Sequence, residues 1–313
     1  MSGRPIVSAQ TRQLAEFGIL TTVLIWSANF VIVKAAIGEI GPFSFTAARY
    51  LVASLTLLAI LWWRQGSIRP PAGYGWALLA LGVLGFGCYQ VLWTTGLTMI
   101  SAGDSALILA VSPVLTALLA AAVGMDRLTA PKLAGALLAF AGVVVVIGAS
   151  HALSLGSSLL GDALTLGAAV VWAVYSVGAS KVVRSIDPLR ATTWTVIAGA
   201  AFLVPLGVAE SVASPPVEVT IAIIGAVLYS GVLAAGVANV FVFIAIRYVG
   251  PTRTTAMQLL LPAGAVVLGA IFLAEPIGLP QVVGGAVIVA GVWLTRRSSI
   301  LPASMRARLS SAS

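Results

Sequence analysis

The chain has 313 residues, 60% of them hydrophobic and 8% charged, with a formal net charge of +8 and a mean hydropathy of +1.08. Soluble domains carry about 25% charged residues, so the charges here cannot clothe a soluble surface, and a water-soluble fold is excluded. The positive balance does not mark a nucleic-acid binder, because Lys and Arg stand singly between apolar runs and form no patch interleaved with aromatics.

A helix that crosses the hydrocarbon needs about 20 residues and satisfies its own backbone polar groups. Runs of that kind fall at 15–36, 43–63, 73–98, 102–123, 131–149, 160–182, 190–209, 219–245, 252–273 and 280–295. The N-terminal stretch "MSGRPIVSAQTRQLAEFG" has no short apolar run ending in a cleavage site, so the first run reads as a retained span. Breakers such as "GEIGP", "GSIRPP", "ISAG", "SIDP", "ASPP" and "VGPT" separate the spans. Fifteen of the seventeen Lys and Arg residues then fall on the side of the N-terminus, Lys34 falls on the other, and Arg49 lies within the second span. The positive-inside rule makes the N-terminal side cytoplasmic, and an even span count returns the C-terminus to it.

The chain repeats itself. "GMDRLTAPKLAG" at 124–135 is echoed 149 positions later by "LAEPIGLPQVVG", acid on acid (Asp126, Glu275), proline on proline (Pro131, Pro280) and glycine on glycine (Gly135, Gly284). The same shift lays Pro113 on Pro262, Gly82 on Gly231, Gly87 on Gly236, Gly142 on Gly291 and Gln90 on Asn239; nearer each start a shift of 146 lays Trp26 on Trp172 and Pro42 on Pro188. Five spans per half is an odd number, so the second half enters the membrane from the opposite side. The expected fold is an all-α integral membrane protein of ten transmembrane helices. They form two inverted five-helix repeats, 15–149 and 160–295, followed by a basic cytoplasmic tail, 296–313. Inverted repeats are the usual construction of secondary transporters.

"IWSANFVIVKAA" leading to "GPFSFTAARY" resembles the opening of a domain of the drug/metabolite transporter superfamily, in its EamA branch. So does the end of each half: an alanine-rich helix with a proline, an acid at its end, then "P-K/Q-x-x-G" and a final glycine. The chain departs from that pattern at Asp126, where the family usually has glutamate, at Ser180, in register with Lys34, and at Arg49, which has no counterpart in the second half. The resemblance implies export of metabolites, amino acids prominent among them, from a cavity lined mainly by helices 1, 3, 4, 6, 8 and 9.

Polar groups at membrane depth are costly unless partnered. Asn29, Gln90 and Asn239 are therefore candidates for a polar cavity wall, the alternative being hydrogen bonds that hold helices together. Trp26, Tyr89 and Trp93 are candidates for an aromatic wall, the alternative being plain helix packing, and Tyr175 and Gln258 are further candidates for the substrate cavity. Lys34 and Arg49 are candidate gating charges, with helix-end carbonyls or Glu39 as partners for Arg49. Pro113 and Pro262 are candidate hinges that free mid-helix carbonyls. Asp126 and Glu275 read as caps or gate hinges ahead of their prolines. Trp62, Trp63 and Trp293 read as interfacial anchors.

No Walker loop is present, and no cofactor or metal is expected. With one histidine, His151, and one cysteine, Cys88, the chain is not expected to be an enzyme. The expected function is export of aromatic or neutral amino acids, or similar metabolites, by alternating access across a bacterial inner membrane. The expected partners are a small-molecule substrate and the lipid bilayer, with the chain monomeric. A cationic-compound exporter would want an embedded carboxylate and a sugar-phosphate exchanger several cavity cations; a non-transporting scaffold would show no solute flux and polar residues silent to mutation.

Overall fold

The computed structural model describes residues 9–125, 128–152, 158–183, 185–215, 218–242 and 258–300, and every regular element among them is helical. In chain order these are α1 (Ala9–Ile40), α2 (Pro42–Gln65), α3 (Gly75–Met99), α4 (Ala102–Ala122), α5 (Ala130–Ala152), α6 (Leu159–Val183), α7 (Pro188–Ala213), α8 (Ile221–Val242), α9 (Leu261–Leu273) and α10 (Leu279–Ile300). Each of α1 to α8 holds a stretch long and apolar enough to cross a membrane; α9 and the Leu279–Thr295 part of α10 are shorter apolar helices. Asp126, residues 243–245 and 252–257 of the runs expected at 219–245 and 252–273, and residues 301–313 of the expected basic tail lie outside the described residues.

Breaks in the chain follow local chemistry. Gly41 separates α1 from α2 at φ 84°, a left-handed conformation that favours glycine, and Pro42 then starts α2 where a missing N–H is harmless. Ser101 caps α4 by accepting from the Asp104 N–H at 2.9 Å, and Asp187 caps α7 by accepting from the Arg190 N–H at 3.0 Å.

Small residues decide where helices touch, as in lipid they must, since burying apolar surface gives no advantage there. Gly135 of α5 lies against Gly291 of α10, and Gly142 against Gly284. Numbers rise on one helix as they fall on the other, so the two run antiparallel. α2 and α7 do the same, with Phe43 and Ser44 beside Glu210 and Gln65 beside Asp187 and Arg190.

The neighbouring contacts come in matched pairs. Gly82 of α3 lies against the Thr195 carbonyl and Ala198 of α7, and Gly87 faces Phe202. In the other half Gly231 of α8 lies against the Arg49 carbonyl and Val52 of α2, and Gly236 faces Thr56. A shift of 149 carries the first glycines onto the second, and one of 146 carries 49, 52 and 56 onto 195, 198 and 202. Both α3 and α8 widen into a π-helix at these glycines, at Val83–Cys88 and Tyr229–Val237.

Candidate functional site

Between these matched helices lies a cavity of about 250 Å³. Small-molecule sites are generally about 300–1,000 Å³, so this one suits a ligand of modest size. Its wall includes Trp26, Asn29, Tyr89, Gln90, Trp93, Asn239, Gln258, Arg49, Pro113 and Pro262 from among the residues singled out in the sequence. Tyr175 is not in the wall. Its ring packs on Phe86 and Trp172 at 5.3 and 5.1 Å and fills the space left by the missing side chain of Gly85. Lys34 is also elsewhere, donating to the carbonyls of Leu97 and Ile100 at 2.6 and 2.7 Å. It closes the C-terminal end of α3 instead of reaching out of the bundle.

The wall is strongly aromatic. Phe30 meets Trp93 edge-on at 5.4 Å, Trp93 stacks with Tyr89 at 6.2 Å, and Tyr89 meets Trp172 at 5.1 Å. Phe86 links Trp172 to Tyr50, at 6.2 and 6.1 Å. The indole N–H of Trp26 donates to the Ala234 carbonyl at 2.9 Å, and that of Trp93 to the Ser105 hydroxyl at 3.2 Å. Their polar tips are thus satisfied within the protein.

Arg49 is the charged member of the wall among the described residues, only 2% exposed. Its partner is neither Glu39 nor a helix-end carbonyl: Nη2 donates to Gln90 Oε1 at 2.5 Å. The Gln90 amide donates in turn to the Tyr50 hydroxyl at 2.6 Å. Aromatic rings of Tyr50, Trp93 and Phe45 lie 5.2, 5.4 and 5.8 Å from the guanidinium carbon. An unpaired buried ion costs several kcal/mol, and each desolvated cation–π contact returns only about 2. Among the described residues no carboxylate pairs with Arg49, and its Nε is buried without a partner.

Tyr50 and α2 as a whole were not expected in the wall. Asn29 joins helices as well as lining the cavity, its Oδ1 accepting from the Ser230 hydroxyl, whereas Asn239 Nδ2 donates within α8 to the Ala235 carbonyl at 2.9 Å. The prolines sit where helices are interrupted. Pro113 is the second residue of the Ser112–Ala122 segment, after α4 is interrupted at Ala110 and Val111, and Pro262 is the second residue of α9, after a 3₁₀ turn at Gln258–Leu260. Ser112 and Ser27 hydroxyls cover the nearby carbonyls of Leu109 and Leu261, at 2.6 and 3.1 Å.

At the Lys34 end the two halves are latched. Glu275 accepts from the N–H groups of Ala102 and Gly103 at 2.7 and 3.1 Å, capping α4 with a carboxylate from beyond α9. Glu210 of α7 likewise accepts from Phe43 and Ser44 at the start of α2, at 2.9 and 2.7 Å. Trp62, Trp63 and Trp293 are exposed.

The model of the EamA-like transporter family matches residues 13–148 and 159–297. An uncharacterized transporter of Archaeoglobus fulgidus is 30% identical over 279 residues, covering 88% of this chain and 94% of its own length. A probable terminal-alkyne amino-acid exporter of Streptantibioticus cattleyicolor is 29% identical over 290 residues, covering 91% and 94%. A solved crystal structure aligns with a TM-score of 0.65 at 22% identity, over 90% of this chain and 97% of its own, a likeness of fold.

Proposed function

Because the chain belongs to the EamA-like transporter family, a membrane transporter family, we propose that it is a secondary carrier exporting aromatic or neutral amino acids by alternating access. The observation that carries this reading is the cavity between the two halves, walled by rings and amides. The probable amino-acid exporter at 29% identity supports the substrate class.

In this reading α9 and α10 complete ten crossings, the two five-helix repeats are inverted, and both termini face the cytoplasm of a bacterial inner membrane. The antiparallel pairs α5 with α10 and α2 with α7 support the inversion, because equivalent helices of inverted repeats run in opposite directions. The chain acts as a carrier rather than an enzyme, without a cofactor and as a monomer in the bilayer. Exposed Phe17, Leu24, Leu55 and Phe272 supply the apolar outer surface that lipid requires.

Purified protein in liposomes, loaded with tryptophan, phenylalanine, threonine or methionine and tested with and without a pH gradient, gives the test. Saturable flux of the aromatic or neutral substrates, reduced by Trp93→Ala, is expected. Movement of none of them, with a cationic dye or a sugar phosphate moving instead, would overturn the substrate assignment.

A further inference from the structure

We infer that Arg49, with the Tyr50 hydroxyl, is a carboxylate anchor, so that the cavity retains ligands by a carboxylate and does not require an amino group. The inference rests on the carrier reading for the role of the cavity and narrows its substrates to aromatic or apolar monocarboxylates, zwitterionic amino acids included.

The hydrogen-bond directions carry the argument. Arginine has only donors, so Gln90 must present Oε1 to it, at 2.5 Å, and its amide nitrogen is left to donate to the Tyr50 oxygen at 2.6 Å. The Tyr50 hydroxyl thereby becomes an acceptor toward Gln90, and its own proton has no acceptor among the described residues. Arg49 Nε is buried with no partner, and Nη1 makes no hydrogen bond among them. Among the described residues the cluster therefore offers Nη1 and the Tyr50 hydroxyl as unengaged donors and a full positive charge without a counter-ion. A carboxylate supplies the missing acceptors, in the planar geometry that a guanidinium matches.

The rest of the wall sets the class. A phosphate or diphosphate group would call for several cations, and among the described residues Arg49 is the wall's charged side chain. The rings of Tyr50 and Trp93 that flank the guanidinium also border the cavity, so an apolar or aromatic body fits beside the anchor. For an ammonium the wall offers a neutral group, Asn239 Oδ1, since Nδ2 already donates to the Ala235 carbonyl. Among the described residues the second half has no such anchor. Thr195, at the position equivalent to Arg49, turns its hydroxyl back to the Ala191 and Thr192 carbonyls at 2.9 and 3.0 Å.

The test is a titration of the purified full chain in detergent, followed by its tryptophan fluorescence, since Trp26, Trp93 and Trp172 border the cavity. The probes are 3-phenylpropionate, L-phenylalanine, phenethylamine and L-phenylalaninamide. Both carboxylates are expected to bind at least about tenfold more tightly than both amines, the factor a charged hydrogen bond supplies. Arg49→Gln is expected to abolish that preference and Arg49→Lys to retain part of it. The probe comparison on the unmutated chain stands even if Arg49→Gln does not fold. Equal binding of amines and carboxylates, binding of neither carboxylate, or a folded Arg49→Gln with unchanged affinities would overturn the anchor. Phenylalanine flux in liposomes that survives Arg49→Gln would overturn it too while leaving the carrier reading intact. Arg49-dependent binding of 3-phenylpropionate without flux of any amino acid would keep the anchor and remove the amino-acid assignment.

Discussion

The two halves of the chain are alike where helices touch and unlike where the cavity is lined. Gly82 and Gly231 meet corresponding partners, as do Gly87 and Gly236, and π-helical turns recur in α3 and α8. In the wall, however, Gln90 bridges Arg49 and Tyr50 while its counterpart Asn239 bonds to its own helix. Trp26 donates to the Ala234 carbonyl, whereas the indole of Trp172 packs among Phe86, Tyr89 and Tyr175. Close backbone contact allows only small residues, so a duplicated scaffold keeps them in both copies. A cavity wall needs one ligand's chemistry once, so the copies are free to differ there.

The largest expected effect falls on the shared scaffold. Gly142→Leu and Gly291→Leu each drive a side chain into the facing helix at the α5–α10 crossing, and overpacking of this kind costs about 1–3 kcal/mol or more. Both variants should lose much of their monodisperse protein in size-exclusion profiles, and by similar amounts. A severe loss for one and none for the other would break the equivalence of the halves.

Next comes the asymmetry of the wall. Arg49→Gln should lower phenylalanine flux at least about tenfold, while Thr195→Val, at the equivalent position, should leave it within about twofold, because Thr195 does not border the cavity and its hydroxyl turns back to the Ala191 and Thr192 carbonyls. Comparable losses in the two would contradict a one-sided anchor.

Smaller effects are expected at the latch. Glu275→Gln and Glu210→Gln each remove a carboxylate from a helix N-terminus and should lower thermal stability by about 0.5–2 kcal/mol, read as a shift in melting temperature in detergent. Smallest is the indole pair. Trp26→Phe loses a hydrogen bond of about 1 kcal/mol and should melt earlier than Trp172→Phe in the same assay.

Much of this was legible in the sequence, for physical reasons. The bilayer forces long apolar runs, and close helix contacts force glycines whose spacing survives duplication, so the helices and the repeat could be read along the chain. Most candidate wall residues could be read too, since an amide such as Asn29 or Gln90 inside an apolar run needs a partner or water. What depended on tertiary direction could not. Arg49 and Gln90 lie on different helices, and nothing in either helix says that they meet. Lys34 lies near the end of its apolar run in a way that suits snorkelling equally well, and only the packing of α3 beside it supplies the carbonyls it binds. Tyr175 sits three residues beyond Trp172, on nearly the same face, yet Gly85 opens a slot on α3 that draws its ring out of the wall.

The most direct test of the carrier account ties the two halves together where Glu275 caps α4. Cysteines at Ala102 and Glu275, with Cys88→Ala to remove the native thiol, can be joined by a short reversible crosslinker in liposomes. The account predicts that joining them stops phenylalanine flux and that release restores it, because the latch must part for the cavity to change sides. Flux that continues at the same rate with the crosslink complete would contradict it.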